Sequence, residues 1–278
     1  MTVGNSGLFH ARDIAMNAKT EPRPDGLIST VMRAFRSLLT KEGILLWSVC
    51  LLLIAWGPKA IPLFTPWFQR WIDADPLQSG FRLQLLSFAS GVVLLGLIPL
   101  VIIHFVFKEK PRDFGLGLGD KRLGLRFLFV GILIIIPTAY YASLQPSMQA
   151  EYPLLYQGLT SEQILARFSW NQFVLYEILY ASFFIVVEFT YRGYMLFGLE
   201  PKFGLYTIFI QMFPYVFWHF AKPFPELVPT PIWGFIAGAV GLRVRSIWYS
   251  MLIHWTLNLF MDTFILIHRG VIHIRIFS

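Results

Sequence analysis

The stretch VVEFTYRGY, Val186 to Tyr194, places a carboxylate, Glu188, and a guanidinium, Arg192, four residues apart between the apolar runs ILYASFFI and MLFGL. An uninterrupted apolar segment of about 20 residues is long enough to cross a hydrocarbon core. A charged side chain at the centre of such a helix costs about 2.5 to 3.5 kcal/mol, so two unpaired charges cost roughly twice that. Four residues is about one helical turn, which puts both side chains on one face within ion-pair reach, and Gly193 beside them leaves room for close helix approach. On this stretch alone, a structural pair that locks two helices is one reading and a reactive site is the other.

Composition decides the solvent. Of 278 residues, 56% are hydrophobic and only 14% charged, against about one quarter charged in soluble domains. That identifies an integral membrane protein. With no water in the bilayer core to satisfy free backbone groups, its spans must be helices, and the fold class is an all-α polytopic membrane bundle. Apolar runs at Gly43 to Phe64, Leu83 to Phe107, Leu125 to Leu144, Gln172 to Leu199, Gly204 to Phe220, Pro231 to Leu242 and Ile247 to Ile267 predict about seven to eight transmembrane segments. The short sixth run suits a broken or re-entrant segment. Residues 43–278 read as a single membrane-embedded domain, with a motif-bearing core at about 170–267.

Residues 1–42 read as a basic tail without a cleavable signal pattern. In LISTVMRAFRSLLTKEG the apolar residues recur at helical spacing with Arg33, Arg36 and Lys41 between them, which suits a helix on the membrane surface or a solvated leader equally. The preceding AKTEPRPDG reads as a linker. The loop KEKPRDFGLGLGDKRLGLR is rich in Lys and Arg, whereas QPSMQAEYPLLYQGLTSEQ has neither. The basic loop and the tail should therefore face the cytosol. After seven spans the C-terminus would lie outside, yet Arg269 and Arg275 favour the inside, so the parity of the last spans stays open. The net charge of +7 sits in short tracts flanking apolar runs; that distribution implies anionic lipid as a partner and no nucleic acid. The one cysteine, Cys50, excludes an internal disulfide or a Cys-based metal cluster.

Two more polar constellations change the weight of the Glu188 and Arg192 pair. FPYVFWHF ends a mostly apolar run with His219, one helical turn after Tyr215, and SIWYSMLIHWTLNLFMD repeats His254, Asn258 and Asp262 at intervals of four. Polar groups on three C-terminal spans need a polar cavity to face. A carboxylate and a neutral imidazole can hold and deprotonate water, while a second imidazole and an amide N–H can stabilise the oxyanion of a peptide carbonyl. That is a hydrolase set without a nucleophilic side chain, and it expects no cofactor. A zinc site from Glu188, His219 and His254 is the metal alternative, although Arg192 opposes a dication there. Glu177, three helical turns before Glu188, either lines a vestibule or, more simply, is solvated at the outer interface. The GLGD at Gly117 to Asp120 lies in the basic loop rather than in a span, which argues against an aspartyl protease.

The segments EFTYRGYMLFGL, YVFWH and RSIWYSMLIHWTLN resemble, in order and spacing, the EExxxR, FxxxH and HxxxN motifs of the CAAX-protease-and-bacteriocin-processing family, also called CPBP or Abi. That family includes the type II CAAX prenyl endopeptidases. The resemblance covers roughly Phe173 to Asp262, and PRDFGLGLGD is similar to the family's short loop before its membrane core. It implies a membrane-embedded endopeptidase acting on a membrane-associated protein or peptide. Glu188 and His219 would activate water, His254 and Asn258 would stabilise the oxyanion, and Arg192 would orient the carboxylate. Two positions depart from the pattern: Val187 stands where the first Glu falls, and Tyr215 replaces the Phe of FxxxH. Because adjacent helical residues point about 100° apart, Glu188 need not reach the place of that first Glu. A catalytically silent relative acting as a bacteriocin-immunity or membrane interaction protein is therefore one alternative, and a proton-coupled carrier using the same groups is another.

Overall fold

The computed structural model describes residues 26–56, 61–74 and 78–273, and among them every regular element is helical. Helices α1 (Leu27–Leu38) and α2 (Lys41–Trp56) meet at 76°. Thr40 makes the corner, its hydroxyl donating to the Ser37 carbonyl (2.8 Å) and accepting from the Gly43 N–H (3.2 Å). No residue of α1 is buried, and Leu27, Ile28, Val31 and Phe35 are exposed. Residues 1–25 of the tail, including almost all of AKTEPRPDG, lie outside the described residues, as does Arg275.

Helix α3 (Ile61–Asp73) takes up the end of the first apolar run, Gly43 to Phe64, and extends beyond it; its 13 residues are too few to span and carry Arg70 and Asp73. Helix α4 (Ser79–Phe107) winds as π-helix over Val92–Leu97 and Ile102–Phe107. Helix α5 is Lys121–Ser143, and α6 (Trp170–Glu188) passes through a π-helical turn, Phe189–Met195, into α7 (Leu196–Phe203). Helices α8 (Thr207–Trp218), α9 (Thr230–Val244) and α10 (Trp248–His268) complete the bundle.

Among the described residues five helical stretches are long and apolar enough to cross a membrane, or six if the bent α1 and α2 pair is one span. One of them, Trp170–Ala221, has 52 residues; at 1.5 Å per residue a straight helix of that length would reach about 78 Å, against a core of about 30 Å. It doubles back at Gly204, whose φ is +53°, and Tyr215 returns to pack on Tyr191 with ring centroids 5.2 Å apart. The two apolar runs seen in the sequence here are thus the two arms of one folded-back helical stretch. The sixth run is longer than its apolar core suggests: a one-turn helix, Phe224–Leu227, precedes α9, and the pair spans 21 residues. Pro231 is accommodated because it sits in the first turn of α9, where an N–H would have no partner.

The π turn is fixed from outside. Thr190 donates its hydroxyl to the carbonyls of Leu95 in α4 and Val186 in α6, both at 2.9 Å. Gly193 is approached both by the ring of Phe189 and by the basic loop: a Cβ there would lie 2.7 Å from Phe189 Cδ2 and 2.8 Å from the Phe114 carbonyl oxygen. The same loop clasps the corner between α9 and α10. The Ile247 N–H donates to the Gly115 carbonyl (3.0 Å), Trp248 Nε1 to Leu116 (3.0 Å) and the Tyr249 hydroxyl to Leu118 (2.9 Å). Asp120 of GLGD caps α5 by accepting from the Leu123 N–H at 3.0 Å. PRDFGLGLGD and RSIW are therefore two sides of one joint, which holds α10 against α6.

Candidate active site

Helix α6 delivers its charged pair to the centre of the bundle. Glu188 and Arg192 are both fully buried, with Oε1 and Nη1 3.3 Å apart. The pair is close but not aligned as a hydrogen bond, since none of the three guanidinium nitrogens has a hydrogen-bond partner. Arg192 finds further compensation in the face of Tyr215, 4.0 Å below its Cζ. Glu188 Oε1 also accepts from Nδ1 of His254 at 2.9 Å. One carboxylate oxygen thus joins α6 to α10.

Tyr215 is the hub between the histidines. Its ring lies 4.6 Å from that of His219 and 6.3 Å from that of His254, and its carbonyl accepts from His219 Nδ1 at 2.8 Å. Simple alternation of spans would set the two imidazoles at different depths. The fold-back at Gly204, which returns α8 alongside the π-helical turn, brings them instead to one cavity of about 380 Å³. Val187, Tyr191, His219, Glu226, His254 and Asn258 line it, with aromatic walls from Phe88, Phe183, Phe184 and Trp233. Glu188 and Arg192 sit behind that lining. The turn of about 100° between neighbouring helical residues explains why Val187 reaches the cavity when Glu188 points to His254.

Asn258 follows His254 by one turn on α10 and donates to Asp262 Oδ2 at 3.3 Å. Asp262 is fully buried, and its carboxyl faces that of Glu177. Glu177 is only 3% exposed, which corrects the expectation of an interfacial, solvated side chain: α6 turns this residue toward α10, where Trp255 Nε1 also donates to its backbone carbonyl at 3.1 Å. Among the described residues no three His, Cys, Asp or Glu side chains are grouped as a metal ion requires, so Glu188, His219 and His254 do not converge in that way.

Residues 169–260 match the sequence model of the family described as type II CAAX prenyl endopeptidase Rce1-like. The similarity covers about a third of the 278-residue chain, the part that carries the three motifs. No curated protein and no solved structure matches it. The matched segment holds Glu188, Arg192, His219, His254 and Asn258 together.

Sequence reasoning missed a second set of polar residues in the lining of this cavity. Glu226, in the one-turn helix before α9, has Oε1 3.9 Å from His219 Nε2, and its Oε2 accepts from the Tyr152 hydroxyl at 2.8 Å. Burial, and then the neighbouring Glu226, push the Tyr152 phenol well above its ordinary range, so it stays a donor. Next to it Lys222 pairs with Glu151 at 2.9 Å and sits 4.8 Å over the Tyr152 ring. These contacts tie the loop after α5 to the loop after α8 over the cavity. Only the Pro-rich setting of KPFPELVPTP signalled an irregular segment here, and nothing in its periodicity aimed Glu226 at His219.

Proposed function

We propose that this cavity is the centre of a membrane-embedded endopeptidase that cleaves a peptide bond of a membrane-associated protein or peptide. The observation that carries the reading is the convergence of His219, His254 and Asn258, from two helices, on one cavity inside the membrane domain. A carboxylate and the His219 imidazole activate water, and the oxyanion is met by His254 and Asn258. Glu188 was expected to share water activation with His219. Its place behind Val187 and its bond to His254 support an orienting role instead. A carboxylate can only accept, so Nδ1 of His254 carries a hydrogen, and this bond sets the orientation of the ring at the cavity. Arg192 balances the buried carboxylate.

The aromatic walls suit a substrate that carries an apolar chain, and a prenylated cysteine peptide is the natural first probe. Purified protein in lipid vesicles should cut such a peptide, or a lipid-anchored membrane protein, to fragments resolved by mass spectrometry. Release of no fragment, together with solute uptake driven by a pH gradient, would favour a carrier and reject the peptidase.

A further inference from the structure

Building on the peptidase reading, we propose that Glu226 is a catalytic carboxylate, which with His219 holds and deprotonates the attacking water. The ring of His219 donates from Nδ1 to the Tyr215 carbonyl at 2.8 Å. A carbonyl only accepts, so in the neutral imidazole the hydrogen is on Nδ1 and Nε2 presents a lone pair. That lone pair faces Oε1 of Glu226 across 3.9 Å. Two acceptors cannot bond one another, and the separation exceeds a hydrogen bond in any case. One water satisfies both, by donating one O–H to Nε2 and the other to Oε1, and its oxygen lone pairs then point away from both bases.

The surroundings aim Glu226 at this place. Its Oε2 is engaged by the Tyr152 hydroxyl at 2.8 Å, which leaves Oε1 for the water. Lys222 is committed to Glu151, 2.9 Å away, rather than to Glu226. Elsewhere around the cavity, Val187 offers only an apolar wall and Glu188 Oε1 is bound to His254. Glu226 is thus the carboxylate that meets the free nitrogen of His219.

In the reaction the water oxygen forms a bond to the scissile carbonyl carbon as one water proton passes to the Glu226 and His219 pair. The carbonyl π electrons move to the oxygen held by His254 and Asn258. Collapse restores C=O and breaks C–N, and the proton passes on to the departing amine. Water is consumed, and a carboxylate and an amine leave.

The test compares full-length wild type, Glu226→Gln and His219→Ala in phosphatidylcholine and phosphatidylglycerol vesicles, with a farnesylated fluorogenic peptide as probe. Glu226→Gln keeps an acceptor for Tyr152. It should lower kcat by about 10²-fold or more with KM changed less than about threefold and thermal midpoint preserved. If Glu226→Gln does not fold, Tyr152→Phe keeps the carboxylate but frees it to turn, and kcat should fall about tenfold at constant KM. Retention of more than about one third of wild-type kcat by Glu226→Gln, or an unchanged Tyr152→Phe where Glu226→Gln is unfolded, overturns the assignment. If His219→Ala is inactive at the same time, the peptidase reading survives that result. A wild type that cuts nothing overturns both.

Discussion

Glu188 on α6 and His254 on α10 are joined by a 2.9 Å contact between Oε1 and Nδ1, across 66 residues of sequence. The same oxygen lies 3.3 Å from Arg192 Nη1. The carboxylate therefore has two duties: it compensates a guanidinium with no solvent access, and it fixes the ring orientation of a cavity histidine.

Removing that charge should show first as instability. Breaking a buried ion pair by neutralising one partner costs about 3 to 5 kcal/mol, because the other charge is left uncompensated. Glu188→Gln should lower the thermal midpoint of the detergent-solubilised protein markedly, and Glu188→Gln with Arg192→Met should recover much of the loss. A double variant no better than the single would show that Arg192 is not the reason for the instability.

Gly193 offers a steric test of the joint between the basic loop and α6. A methyl group there meets the Phe189 ring at 2.7 Å and the Phe114 carbonyl at 2.8 Å, and overpacking of this kind costs about 1 to 3 kcal/mol. Gly193→Ala should melt earlier than wild type, whereas Gly158→Ala, with no neighbour in reach of its Cβ, serves as a strained but unobstructed comparison. Equal melting of Gly193→Ala and wild type would mean that both the loop and the Phe189 ring yield freely.

Much of this site was legible because helices impose a period. Glu188 with Arg192, and His254 with Asn258, stand four apart, and such spacing fixes a shared face before any tertiary contact exists. Val187 and Glu188 could likewise be assigned to different directions. The meeting of His219 with His254 could not, since it depends on a reversal at Gly204 that is invisible to an apolar-run count. Glu226 and Tyr152 escaped for a related reason: their bond links two loops 74 residues apart, where neither residue belongs to a repeating face. Glu177 was misplaced because its burial depends on which helix packs against α6, and only Asp262 on α10 reveals that.

Orientation follows from loop charge. Reporter fusions at Thr40 and Gly119 should read cytosolic and one at Gln157 should read external, since Lys and Arg concentrate on the first two and are lacking around the third. An external reading at Gly119 would invert the topology.

Metal dependence has a direct check. If a carboxylate and His219 activate water unaided, cleavage should survive stringent chelation, and the purified protein should carry no stoichiometric zinc. Loss of activity with chelator and its return with one equivalent of Zn²⁺ would support the alternative site built on Glu188, His219 and His254.

The central claim is that the cavity between α6, α8 and α10 hydrolyses peptide bonds, and His219 tests it most directly, because its ring touches neither Glu188 nor Arg192 in an ion pair. Wild type and His219→Ala are compared for single-turnover cleavage of a prenylated peptide in vesicles, with thermal midpoints measured in parallel. Loss of a general base predicts a fall of about 10² to 10⁴-fold, or roughly 3 to 5 kcal/mol in the barrier, with stability little changed. Full cleavage by a folded His219→Ala protein would contradict the account.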